Sequence, residues 1–105
     1  MQATDIGNFQ SRTADAVRVL AFFKAKPGKG RKLEKALLTL IGPMRSEPGN
    51  IAYVLHSSTK DPHELVFDEI FESYRAFEKH GQKPYIKSLR SRVEHLLAAP
   101  VELKT

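Results

Sequence analysis

The sequence predicts one α+β domain of ferredoxin-like type, an antiparallel sheet built in the order β-α-β-β-α-β with its helices on one face. Three observations predict it. Segments with strand-like apolar patterning alternate with segments whose apolar residues recur every three and four positions. The two central strand-like segments are separated by a short loop, which makes them an antiparallel hairpin. The chain has 105 residues, 41% of them hydrophobic, enough for one core with little to spare.

Residues 1–16, MQATDIGNFQSRTADA, read as a polar N-terminal arm without the basic and apolar regions of a secretory signal, and residues 17–105 as the domain. The first strand begins at Val17. In VRVLAFFKAK both alternate sets, Val17/Val19/Ala21/Phe23 and Leu20/Phe22, are apolar, so the strand is expected to be covered on both faces and to stop at Pro27-Gly28. Leu33, Ala36, Leu37, Leu40, Ile41 and Met44 form one helical stripe, expected to end near Gly42-Pro43. Glu47-Pro48-Gly49-Asn50 signals a turn into IAYVLHSS, whose two faces are Ile51/Tyr53/Leu55 and Ala52/Val54/His56. The Lys60-Asp61-Pro62-His63 loop leads to a third strand, ELVFDEIF.

Ser73 is placed to N-cap a short helix carrying Ala76, Phe77 and His80, ended by Gly81. From Pro84, a good first-turn residue, Tyr85, Ile86, Leu89, Val93, Leu96 and Leu97 form a second stripe, which Pro100 stops. The tail VELKT alternates and closes the sheet as an edge strand. Helices on one side leave the second face partly apolar, with members such as Phe22, Val54 and Phe67 or their alternates. Face-to-face homodimerisation is the expected cover.

Composition excludes several functions. Without cysteine there is no disulfide, thiolate metal site or Cys nucleophile, and the chain suits a reducing compartment, with the cytoplasm as expectation. The longest apolar run, Ala16 to Phe23, contains Arg18 and is far short of the roughly 20 residues of a membrane span. The formal charge of +5 is spread over several segments with acids among them and accompanies no nucleic-acid-binding motif, so it reads as surface solvation. Gly28-Lys29-Gly30 fits neither a P-loop nor a dinucleotide loop and reads as a turn. His56, His63, His80 and His95 have no metal-ligand spacing, and no flavin or haem motif is present, so no cofactor and no metal are expected.

His80 shares the inward stripe of its helix, either as a hydrogen-bonded helix-end residue or as one that meets a ligand. Glu69 stands on a strand face with Leu65, Phe67 and Phe71, where a carboxylate must be paired or bind its proton tightly. His56 is a polar residue facing the same way as Val54. Tyr53, Tyr74, Tyr85, Phe67, Phe71 and Phe77 suit the lining of a cavity for a flat aromatic ligand, or core packing.

The ordered set of Lys26-Pro27-Gly28-Lys29, Arg45-Ser46-Glu47-Pro48-Gly49-Asn50 into Ile51-Ala52-Tyr53, Asp61-Pro62, and Phe67-Asp68-Glu69-Ile70-Phe71-Glu72-Ser73 with Ala76-Phe77 and His80 resembles the antibiotic biosynthesis monooxygenase (ABM) domain proteins, from about Val17 to Val101. The resemblance implies a dimeric α+β barrel, with two sheets packed face to face and one cavity per subunit between sheet and helices. Such proteins include cofactor-independent oxygenases of phenolic polyketides, quinol oxidases, haem-degrading enzymes and small-sugar isomerases. Phe71 stands where many of them have Trp, and the first strand lacks the Asn of the haem-degrading branch. His80 matches their frequent helix histidine. The activity implied is a cofactor-independent monooxygenase or quinol oxidase taking a small phenolic or quinol substrate and O₂. His80 is the expected base, Glu69 or Tyr85 its partner, and Tyr53, His56, Phe67, Phe71, Phe77 and Tyr85 the expected substrate contacts. The alternative is a dimer of a signalling or stress-response pathway that binds or isomerises a small molecule without oxidising it.

Overall fold

Strand β1 (Val17–Lys24) lies inside the sheet with a strand on either side. It is followed by α1 (Gly30–Leu38), α2 (Ile41–Arg45), β2 (Asn50–Ser57), β3 (Glu64–Phe71), α3 (Tyr74–Gly81), α4 (Pro84–Val93), a 3₁₀ turn over Glu94–Leu96, and β4 (Glu102–Lys104). The computed structural model describes residues 15–105, so all but the last two residues of the expected N-terminal arm lie outside the described residues. The sheet order is β2-β3-β1-β4 with every pair antiparallel, the ferredoxin-like arrangement. The short tail does close the sheet, with Leu20, Ala21 and Phe22 opposite Lys104, Leu103 and Glu102.

Register decides which side chains face the helices. Val19 pairs with Glu69 and Ala21 with Phe67, while across the hairpin Tyr53 pairs with Glu69 and Leu55 with Phe67. Residues opposite one another share a face, so all of these point at the helical layer. There Ala21, Tyr53 and Phe67 meet Leu33, Leu37, Leu40, Met44, Ile86, Leu89, Val93 and Leu96 in one core. The other face carries Leu20, Phe22, Ala52, Val54, Val66 and Ile70, crossed by a bidentate Arg18–Asp68 pair at 2.9 and 2.6 Å. Phe67, offered above as a member of that open face, belongs to the covered one and is 1% exposed.

The single helix expected after β1 is two. Thr39 and Leu40 donate backward only three residues, to the carbonyls of Ala36 and Leu37, and a fresh turn starts where Met44 N–H meets Leu40 O. Proline at 43 has no N–H, and its ring clashes with the carbonyl four residues earlier, that of Thr39. The break therefore falls before the proline. Pro43 itself sits in the first turn of α2, where its missing donor is not needed. The helical path runs on to Arg45, past the Gly42-Pro43 stop that the sequence suggests.

The turn after α2 is held tightly against α3. Ser73 caps that helix by accepting the Ala76 N–H at 3.1 Å, and Glu72 N–H donates to Gly49 O at 2.9 Å. A Cβ on Gly49 stands only 2.5 Å from the Ala76 Cβ, so the approach needs glycine. Beside it a bulge between Asn50 and Ala52 leaves Ile51 as the extra residue, 40% exposed and off the face shared by Tyr53 and Leu55. Gly49→Ala should push the turn off α3 and cost about 1–3 kcal/mol, read as a lowered urea midpoint. An unchanged midpoint means that the turn has room to give.

Candidate active site

Between sheet and helices lies a cavity of about 470 Å³, within the range of small-molecule sites. Its floor is the covered face of the sheet, with Ala21, Phe23, Tyr53, Phe67 and Glu69, and its walls are Leu40, Phe77, His80, Ile86, Leu89, Arg90 and Val93. The Tyr53 ring stacks on Phe67 with centroids 4.3 Å apart and planes 18° from parallel, giving a flat aromatic surface. Arg45, at the end of α2, fixes that surface by donating from Nε and Nη2 to the Tyr53 carbonyl at 3.3 and 3.0 Å.

One end of the cavity is polar. His80, in the last turn of α3, is 6% exposed, and its Nδ1 lies 2.9 Å from Oε2 of Glu47. The Tyr85 hydroxyl, from the first turn of α4, donates to the same oxygen. An ionised carboxylate only accepts, so Nδ1 carries the ring hydrogen and the lone pair is left on Nε2. That nitrogen is 3.9 Å from Oε1 of Glu69. Behind the imidazole stands Phe71, its ring 5.1 Å away.

The electrostatics follow from burial. Glu69 is pushed up to about 8, first by burial and then by the Glu47 and Asp68 charges. At neutral pH it is chiefly a carboxylic acid, able to donate a hydrogen bond. Tyr53 is pushed far above the ordinary phenol range by burial and then by Glu69. Tyr85 is raised by burial and by its bond to Glu47, so both phenols keep their protons. The polar end thus holds a bare imidazole nitrogen beside a neutral acid, an acid–base pair separated by environment.

Tyr53, Phe67, Glu69, Phe77 and His80 all line the cavity. Phe71 supports His80 from behind without lining the cavity, and Tyr85 turns to Glu47. His56 is elsewhere: past the bulge, with Tyr53 opposite Glu69, Ala52, Val54 and His56 point to the open face of the sheet, and His56 is exposed there. The hydrogen-bonded partner of His80 is neither Glu69 nor Tyr85, the two expected, but Glu47. In the sequence Glu47 reads only as part of a turn, 33 residues before the histidine. The signal that points to it is indirect, since a buried histidine needs an acceptor. Among the described residues no three His, Asp or Glu side chains are grouped as a metal ion requires.

Residues 16–92 match the profile of the family described as antibiotic biosynthesis monooxygenase. Over 90 residues the chain is 32% identical to the uncharacterized protein sll1783 of Synechocystis sp., which covers 86% of this chain and only 61% of that protein. Among solved structures, Rv0793 from Mycobacterium tuberculosis superimposes with a TM-score of 0.80 at 32% identity, over 86% of this chain and 91% of that one. SO0527 from Shewanella oneidensis does so with a TM-score of 0.80 at 33% identity, over 86% and 89%.

The protonation of Glu69 ties stability to pH. Its folded value of about 8 stands above the ordinary 4.5, so between these values the folded chain holds more protons than the unfolded one. Stability must fall as pH rises through that window. Urea unfolding from about pH 5 to about pH 8.5 should show a loss on the order of a few kcal/mol, largely absent in Glu69→Gln. If the variant keeps the same slope, another group carries the dependence.

Proposed function

The chain belongs to the antibiotic biosynthesis monooxygenase family, and from that premise we propose that it is a cofactor-independent oxygenase or quinol oxidase of a small phenolic substrate. One observation carries this: His80 Nε2 and Glu69 Oε1 are 3.9 Å apart on the wall of an aromatic-lined cavity. A single hydroxyl oxygen set to one side of the line joining them comes within hydrogen-bond reach of both.

Ground-state O₂ is a triplet and reacts slowly with closed-shell phenols. A deprotonated electron-rich phenol is itself a reductant, so the protein's task is to ionise it in a dry pocket. An ordinary phenol near 10 and imidazole near 6.5 leave that transfer uphill by roughly 5 kcal/mol. Two contacts reduce the gap. Glu47 stabilises the imidazolium from behind through Nδ1, and the Glu69 acid donates to the phenolate oxygen as its charge develops. The substrate O–H bond breaks, its proton goes to His80 Nε2, and its electron pair stays on the substrate. For a quinol, two electrons and two protons then pass to O₂, giving quinone and hydrogen peroxide. Tyr53, Phe67 and Phe77 supply the flat walls.

The open sheet face with Phe22, Val54, Val66 and Ile70 suits a homodimer, and no helix among the described residues is long and apolar enough to cross a membrane. The lack of cysteine fits a cytoplasmic site of action. A second reading rests on the same pair. A bare base and a neutral acid flanking one oxygen also suit enolisation of a hydroxyketone, an isomerisation that consumes no oxygen.

Oxygen uptake with a panel of quinols and anthrones separates the two. Uptake by the wild type and a loss of about 10²- to 10⁴-fold in His80→Ala are expected. No uptake across the panel, or full activity in the variant, sinks the oxidase reading. Light scattering at micromolar concentration should give twice the chain mass of 11.8 kDa, and a monomer mass is the contrary result.

A further inference from the structure

Resting on the reading of His80 as the base, we infer that His80 exchanges its proton with solvent through Glu47, by way of a second cleft behind the cavity. The front of the imidazole, Nε2, faces the cavity, which a bound substrate fills. The back, Nδ1, is 2.9 Å from Glu47 Oε2. Glu47 has a side chain only 9% exposed, yet it also forms part of the wall of a separate cleft of about 310 Å³. It therefore both bonds to the buried imidazole and borders the cleft.

The surroundings favour a carboxylate that passes protons on. His80 and Tyr85 bond to Glu47, Glu69 feels its charge, and Glu72, Arg75, Lys79 and Lys83 share the cleft wall with it. A proton reaching Oε2 can pass from there to water in the cleft. Tyr85, whose hydroxyl is a donor, holds Oε2 in line with the ring. When Nε2 has taken a proton, the Nδ1–H bond can break toward Oε2, leaving the ring neutral with its hydrogen on Nε2. The reverse transfer regenerates the imidazolium, and the starting tautomer returns when the Nε2 proton then leaves to an oxygen bound in the cavity. No electron or co-reactant is needed: one proton leaves through the cleft for each one taken from the substrate, so the positive charge on the ring is discharged while the cavity is occupied. Glu47 is in this sense a positioning residue that also carries the proton.

The test follows the His80 ring N–H of ¹⁵N-labelled protein, with 1-naphthol in the cavity to block the front. Exchange of the Nδ1 hydrogen with water should slow tenfold or more in Glu47→Gln, which is nearly isosteric and keeps the turn in place. In Glu47→Ala, added formate should restore exchange in proportion to its concentration and move the Nδ1 resonance. Formate should do neither in Glu47→Gln, whose amide fills its place. Exchange as fast in Glu47→Gln as in the wild type, or a Glu47→Ala protein indifferent to formate, overturns the path. If 1-naphthol leaves the His80 and Phe67 resonances unmoved, the phenol reading of the cavity falls instead. The same exchange comparison on the empty protein then still decides the path.

Discussion

A buried imidazole with two nitrogens needs a partner for its N–H, and in this fold that need is met by Glu47, from a turn far away in sequence. Taking both groups out of water is costly unless the contact is close and the remaining lone pairs are used. Here Oε2 accepts from both His80 Nδ1 and Tyr85, which ties together the α2–β2 turn, the end of α3 and the start of α4. Much of the local architecture serves that meeting. Gly49 lets the turn lie against Ala76, the Ser73 cap fixes where α3 begins and hence where its last turn falls, and the bulge at Ile51 restores the alternation that turns Tyr53 toward Glu69.

Once Glu47 has claimed the back of the imidazole, the other carboxylate is constrained as well. Two buried carboxylates so near one another do not both ionise readily. Glu47 has the hydrogen-bond donors, whereas Glu69 has aromatic neighbours and the Glu47 charge to oppose it, and so it keeps its proton. Two residues of the same type are thus held differently, one accepting from His80 and Tyr85 and the other keeping its proton. This division is a property of the packing and would be lost if the register of β3 slipped by one residue, since Glu69 would then move to the open face.

What the sequence disclosed, and what it did not, follows from the range of each interaction. Strand order, the Ser73 cap, the hairpin and the short final strand depend on period and turn chemistry, which are local, and all are found. The face of Glu69 and the inward stripe of His80 follow from the same periodicities. The misplaced features depend on distant pairing. His56 lies outside the cavity because the register of β2 against β3 decides its face. No pattern within a dozen residues marks a turn acid such as Glu47 as the partner of a distant histidine. Pro43 signals a disturbance of the helix, but its effect lies four residues upstream, at the Thr39 carbonyl.

The constellation does not by itself choose between oxidation and isomerisation, because in both the first event is removal of a proton from an oxygen-bearing substrate. The choice rests on what the resulting anion can do. An extended aromatic anion, held flat on the Tyr53–Phe67 stack, delocalises its charge and gives up an electron to O₂, whereas a small aliphatic enediolate gains nothing from that surface. A cavity of about 470 Å³ lined mainly by aromatic and aliphatic side chains, with Glu69, His80, Arg90 and Glu94 as its charged or titratable members, supports the former in the proposed reading. Such a ligand would displace water from the apolar floor and strengthen every hydrogen bond at the polar end. That apolar lining, more than the acid–base pair, is the argument for oxygen chemistry in this member of a family whose fold alone does not specify a reaction.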